Sequence, residues 1–148
     1  MMTNPLALEV PDLEITLAQD HLVAFAKATG QTDSIYLQSE DAKRAGYVDV
    51  VAAPTYLFGL VQLGGPSRST LVLLDLDLGR VLHGAQRFSY ERDVCAGETV
   101  TIRTSITDHY LKRDGTLEFF HETTQVLSES RQVAEMEKII IVRHEVGE

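Results

Sequence analysis

The chain has a single cysteine, Cys95, among its 148 residues. One thiol makes no intrachain disulfide, and no Cys-based metal site can be assembled from it. His21, His109, His121 and His144 fall at no metal-ligand spacing either. No apolar run is long enough to span a bilayer as a helix, and Met1 to Leu8 lacks the basic region and apolar core of a secretory signal. Positive charge is scarce: 13 Lys and Arg stand against 22 Asp and Glu, a formal net charge of −9. Nucleic-acid binders draw much of their affinity from cations placed on phosphates. An acidic chain with no basic run is therefore expected to bind no nucleic acid and no anionic membrane. The expected location is the cytoplasm.

What is present is an ordinary globular composition. Apolar residues make up 44% of the chain, enough for a core, and the length suits one domain over residues 1–148. A domain of this size buries roughly two thirds of the surface of its unfolded chain.

The first half reads as helical. Thr16-Leu17-Ala18-Gln19 has the form of a capping box, and Ala18, Leu22, Phe25 and Ala26 share one face at helical spacing. The spacing predicts a helix over residues 17–29, with Gly30 as its exit. After a polar loop, Ser39-Glu40-Asp41 suggests the cap and acidic first turn of a short helix ending at Gly46. Pro54 suits the first position of a third helix, over residues 54–63, which is apolar nearly all round. A helix of that kind is normally wrapped by protein.

The second half reads as strands. Val100, Ile102, Thr104 and Ile106 alternate with polar neighbours. Asp114-Gly115 signals a hairpin turn, and Ser128-Glu129-Ser130 a second turn. Strands are expected over residues 81–90, 117–127 and 133–143. Residues 71–78 alternate apolar and acidic, as another strand or an edge would. Helices followed by an antiparallel meander make an α+β pattern, with a sheet curled around the helix that Pro54 opens.

Three stretches resemble the MaoC-like dehydratase family, specifically its N-terminal-type half. They are Phe25-Ala26-Lys27-Ala28-Thr29-Gly30-Gln31-Thr32-Asp33-Ser34-Ile35-Tyr36, then Ala45-Gly46-Tyr47 leading to Val51-Ala52-Ala53-Pro54-Thr55-Tyr56, and Val81-Leu82-His83-Gly84-Ala85-Gln86-Arg87-Phe88-Ser89-Tyr90 closed by Ala96-Gly97-Glu98-Thr99-Val100. The resemblance implies a hot-dog fold, an antiparallel sheet wrapped around a central helix. It also implies reversible hydration of enoyl thioesters with R stereochemistry. Active members carry a loop written G-D-x-N-P-x-H, whose Asp and His hold a water, while a backbone N–H at a helix start stabilises an enolate-like oxygen. That chemistry needs a titratable pair near neutral pH and donors aimed at developing charge.

In this frame Gly30 is retained. Gln31 replaces the Asp, Asp33 the Asn, Ser34 the Pro, and Tyr36 the His. Gln31 has no acid or base to offer, and an unperturbed tyrosine at about 10 is a poor base at neutral pH. The resemblance therefore implies the half of a paired assembly that lacks the Asp/His dyad and shapes the acyl tunnel. Its partner is a catalytic MaoC-like chain, and its substrate an acyl-CoA or acyl-carrier-protein thioester with no further cofactor or metal. Gln31, Pro54, Thr55 and Tyr56 are the expected substrate contacts. One alternative is a self-sufficient homodimeric hydratase in which Asp33, Tyr36 or His83 is catalytic. The other is a non-enzymatic acyl-thioester binder. Against these stand plainer roles: Asp33 and Tyr36 as local loop caps, His83 as a satisfied structural residue, Lys112-Arg113 as a solvated hairpin tip, and Cys95 as an inert apolar group.

Overall fold

A computed structural model describes residues 4–145, so the reading of Met1 to Leu8 lies partly outside the described residues. Five strands form one antiparallel sheet in the order β1 (Leu13–Thr16), β3 (Thr99–Lys112), β4 (Leu117–Ser128), β5 (Arg131–Arg143) and β2 (Val81–Tyr90). Strict period-two burial runs the length of β4, with Glu118, Phe120, Glu122, Thr124, Val126 and Ser128 on the buried side. The expected turns are found. Arg113, Asp114 and Gly115 all take positive φ between β3 and β4, and Glu129 and Ser130 do so between β4 and β5. Two consecutive left-handed residues match the right-handed twist of a tight hairpin.

Three helical expectations need correction. The first helix, α1, is Gln19–Ala28, and its N-cap is Ala18, with no side-chain cap. Thr16 ends β1 instead, and its hydroxyl meets that of Thr99 at 2.7 Å. Pairing with β3 consumed the proposed cap. The exit of α1 is as expected: Gly30 has φ +75°, Gln31 N–H donates to the Ala26 carbonyl (2.9 Å), and Gly30 N–H donates to that of Lys27 (3.2 Å), a Schellman closure. The second helix, α2, is Ser39–Arg44, so Ser39 is its first residue and Gln38 its cap.

The third helix, α3, is only Tyr56–Val61, continued by a 3-10 turn over Gln62–Gly64. Pro54 lies outside it, because Thr55 adopts a left-handed φ of 71° at the N-cap. Tyr56, Leu57 and Leu60 are buried against the sheet, whereas Gly59, Gln62 and Leu63 are exposed. The central helix is therefore embraced on one side only by this chain. At six residues it is too short to hold itself, so its stability comes from that packed face.

Residues 71–78 form no strand. Thr70–Leu73 is a helical turn, α4, and Leu71 and Leu74, three apart, lean on the apolar cluster below them. Asp75 at φ 52° ends the turn, with Leu76 N–H donating to the Leu71 carbonyl (2.9 Å). The strand β1, not anticipated, is held at the far edge. Buried Arg68 helps to hold it, donating from Nε to the Pro11 carbonyl (2.7 Å) and from Nη2 to that of Ile102 (3.1 Å).

The core has two parts. One gathers Leu17, Leu22, Tyr56, Leu57, Leu60, Val100, Ile102, Val126 and Met136 beneath α3. The other comprises Ile106, Phe120, Ile140 and Val142 under α4. Between them runs a polar row. Gln86 pairs with Lys138 across β2 and β5, and Lys138 with Glu122 across β5 and β4.

Candidate active site

The loop from Gly30 to Tyr36 leaves α1 and is tied down at both ends. Asp33 Oδ1 accepts the backbone N–H of Ile35 (3.1 Å), capping a 3-10 turn over Ser34–Tyr36. The Ile35 carbonyl accepts the N–H of Val51 (3.0 Å), and Val51 bridges to Cys95. Asp33 thus does what the plainer reading assigned to it. Tyr36 is half-buried. Burial, then the negative charges of Asp93 and Asp33, push its phenol above the ordinary tyrosine range, the wrong direction for a base at neutral pH. Nearby, Tyr47 donates its hydroxyl to Asp93 Oδ2 (3.0 Å). Gln31 is partly buried beside this loop. Cys95 is buried, and burial raises its thiol, as expected for an unreactive cysteine.

A second group lies along α3 and β2. Thr55 donates its backbone N–H to the Tyr90 hydroxyl (3.1 Å), so a donor at this helix start already has a partner. Tyr56 is buried edge-on against Phe25, centroids 5.3 Å apart, and Pro54 is exposed. The rings of Phe88 and Tyr90, two apart on one face of β2, are parallel at 6.3 Å. Phe58 of α3 stands edge-on to Phe88 (6.3 Å) and stacks on His83 (6.4 Å).

His83 reaches this face through a register irregularity. The β2–β5 pairing slips between His83 and Ala85, and His83 comes opposite Ile140, which is buried. Gly84 is the extra residue. A Cβ there would sit 2.8 Å from Ile141 Cδ1 and 3.2 Å from the Ile139 carbonyl. Bulges commonly re-aim a side chain in this way. The His83 ring is exposed, and its Nε2 lies 3.1 Å from the Ala85 carbonyl. A carbonyl only accepts, so Nε2 is the donor in this contact.

The residues named from sequence therefore separate into two groups: Gln31, Asp33 and Tyr36 on the loop, and Thr55, Tyr56 and His83 along α3 and β2. Sequence reasoning missed Tyr90, Asp93, Phe58 and the polar row. For that row a signal existed, because Glu122 sits in phase with Phe120 and Val126 on the buried side of a period-two strand. Lys112 is not free at the hairpin tip, since its ammonium lies 5.1 Å from the ring centres of Tyr110 and of Phe119. Among the described residues no group of side chains is arranged to hold a metal ion, and no helix is long and apolar enough to cross a membrane.

Comparison with known proteins places this geometry. Residues 8–136 match the model of the FAS1-like dehydratase domain region. A UPF0336 protein of Thermobifida fusca is 41% identical over 103 residues, 69% of this chain and 66% of that relative. The matched segment thus spans just under two thirds of the relative's length. In shape, the chain is similar to a subunit of the C-terminally truncated HadBC (3R-hydroxyacyl-ACP dehydratase) complex from Mycobacterium tuberculosis, with a TM-score of 0.76 at 17% identity over 95% of this chain and 99% of that one. It is also similar to a chain of the ChsH1–ChsH2 complex from the same organism, at 0.74 and 22% over 90% and 86%. The sheet-and-helix arrangement is the hot-dog fold expected from the sequence.

Proposed function

The chain belongs to the FAS1-like dehydratase domain family, the MaoC-like hydratases and dehydratases of hot-dog fold, and from that premise we propose that it is the dyad-lacking half of an R-specific enoyl-thioester hydratase. In this role it shapes the acyl cleft and pairs with a chain that carries the Asp/His loop. One observation carries the reading. The loop keeps its frame, with Gly30 left-handed at the helix exit, and carries Gln31 and Tyr36 where the resembled loop has its Asp and His.

The sheet edge supports the pairing. The strand β2 is an edge strand of ten residues. It leaves Leu82 and Tyr90 nearly half exposed. Long unpaired edges invite strand addition, and a second hot-dog chain beside β2 would cover this edge. HadBC and ChsH1–ChsH2 are complexes by name, in keeping with such a pairing. The acyl group of a coenzyme A or carrier-protein thioester would lie along Thr55, Tyr90 and Phe88, in the cytoplasm, with no further cofactor.

Co-expression with a MaoC-like chain bearing the complete loop tests this. A stable complex that hydrates crotonyl-CoA is the expected outcome. A chain that never associates, or a complex inert toward short and long enoyl thioesters, would contradict it. His83 favours a second reading, a self-sufficient hydratase, because its imidazole is exposed beside Phe58 of α3. That version requires turnover by the chain alone and its loss in His83→Ala.

A further inference from the structure

The outer face of the sheet, turned away from α3, is not uniform. Along β5 the outward side chains are Glu135, Glu137, Ile139, Ile141 and Arg143, while Ile140 and Val142 are buried on the inner side. Residues 139–142 are therefore apolar on both faces. A sheet with one face in water alternates apolar and polar residues, whereas a strand that is apolar on both sides is one covered on both. The neighbouring strands break the alternation at the same level. Leu82, Ile141, Phe119 and Tyr110 form one outward row across β2, β5, β4 and β3, and Ala85, Ile139, His121 and Asp108 form the next. Leu82 is 47% exposed, and Ile139, Ile141, Phe119 and Tyr110 are only partly buried.

Further along, the same face reverts to Arg87, Glu137 and Thr123, a solvated row. The apolar patch is thus bounded. It is about 14 Å wide over three strand spacings and about 20 Å long from residue 137 to 143. Its two ends differ in charge. Arg143 is exposed at one end, and Lys112 shares that end, since Leu117 pairs with both. Glu137, 54% exposed, closes the other end, and its nearest cation, Arg87, stands off at 3.6 Å. Glu135 lies beyond it. That order is self-complementary. A two-fold axis between two such faces, perpendicular to the strands at the level of Ile140, turns one copy end over end. It sets Ile139 against the second copy's Ile141, Phe119 against its His121, and Arg143 against its Glu137, with every contact made twice. Stacked sheets lie about 10 Å apart, within reach of these side chains.

We infer that this face is an interface between two copies of the chain, packed back to back through β5 and β4. The inference does not depend on what pairs with β2, because strand addition at that edge extends the sheet in its own plane and leaves the outer face free. A complex with a catalytic partner is then expected to hold two copies of each chain. The patch is smaller than the roughly 800 Å² per partner of a standard interface, so a micromolar rather than nanomolar association is expected.

Sedimentation velocity on the purified chain at tens of micromolar tests this. The parent should run at twice the mass of Ile139→Lys, whatever occupies β2, and thermal unfolding checks that the variant is folded. Glu137→Arg and Arg143→Glu should each weaken self-association about tenfold, by opposing like charges at both ends. Mixed in equal amounts, these two variants should associate as the parent does, because each carries the charge the other now lacks. An effect confined to one chain, such as loss of the Arg87 contact, would not be rescued by mixing. Equal mass for the parent and Ile139→Lys would overturn the inference: two monomers would mean a solvated face, and two dimers would mean that another surface holds them. A mixture that associates no better than either variant alone would overturn it too. So would an Ile139→Lys chain that loses only an added catalytic partner, since the face would then belong to that partner.

Discussion

Replacing Lys138 with methionine should cost far more stability than replacing its partner Glu122, and replacing both should cost almost nothing. Lys138→Met leaves the Glu122 carboxylate 4% exposed, with the Thr70 hydroxyl as its remaining partner. Stranding one member of a buried pair costs about 3–5 kcal/mol, so about 3 kcal/mol is expected here. Glu122→Met strands an ammonium on a four-carbon stem that is already 15% exposed. That head can shift toward water while its stem stays packed, so about 1–2 kcal/mol is expected. In the double variant both charges vanish, and two methionines join the apolar clusters on either side. Such replacements are commonly neutral or stabilising. The cycle then closes with a coupling of about 4–5 kcal/mol, well above the ~1 kcal/mol ceiling of an exposed pair. Urea unfolding of the four proteins measures it, and Tm should fall by roughly 10 °C in Lys138→Met, at about 3 °C per kcal/mol for this size. A Lys138→Met variant within 0.5 kcal/mol of the parent would show that the row is solvated and that the polar division of the core carries no energetic weight.

Other expectations follow from single contacts. A Cβ on Gly64 would lie 2.1 Å from Arg68 Cδ and 2.6 Å from its Cγ. Arg68 is pinned by two carbonyls, so Gly64→Ala should destabilise by about 2 kcal/mol, within the overpacking range, as read by thermal unfolding. Gly84→Val should move His83 off Phe58 as well as costing about 1–2 kcal/mol, which the His83 imidazole resonances would report. Burial alone would raise the Glu98 carboxyl, but hydrogen bonds from Arg92, the Cys95 N–H and Ser128 outweigh it and hold the group below its ordinary value. A depressed carboxylate contributes stability above its unfolded value of about 4.3 and loses it as pH falls through the folded value. Acid unfolding should therefore be steeper below about pH 4 in the parent than in Glu98→Gln, and identical slopes would contradict this.

Much of the architecture was legible because period-two patterning survives wherever one strand face meets the core. The strands β3, β4 and β5 showed it plainly, and their turns carried Asp-Gly and Ser-Glu-Ser. Short elements were less legible. The strand β1 is four residues long, and its Thr16 imitates a helix cap because a threonine hydroxyl serves either purpose. The segment 71–78 reads as alternating only because Asp75 and Asp77 fall two apart. What decides its fold is the second apolar cluster, which takes Leu71 and Leu74 at helical spacing. Pro54 misled for a similar reason, since the left-handed Thr55 intervenes before α3 and no local pattern announces it.

The site was half legible. Gln31 and Tyr36 could be read where the resembled loop has its Asp and His, and the capping role of Asp33 followed from its residue type. The grouping of His83 with Phe58 and the polar row could not be seen, because they depend on a bulge at Gly84 and on cross-strand register that lines up Gln86, Lys138 and Glu122. Glu122 was the one clue in plain view: a carboxylate in phase with Phe120 and Val126 must find a cation, and Lys138 lies directly opposite across the β4–β5 pair.

The most direct measurement is turnover of crotonyl-CoA and a longer enoyl thioester by the purified chain alone and by the chain mixed with a partner that carries the Asp/His loop. We expect no hydration by the chain alone, hydration by the mixture, and no change in the mixture's activity with Tyr36→Phe in this chain. Hydration by the chain alone, lost in Tyr36→Phe or His83→Ala, would contradict its assignment as the half without a dyad.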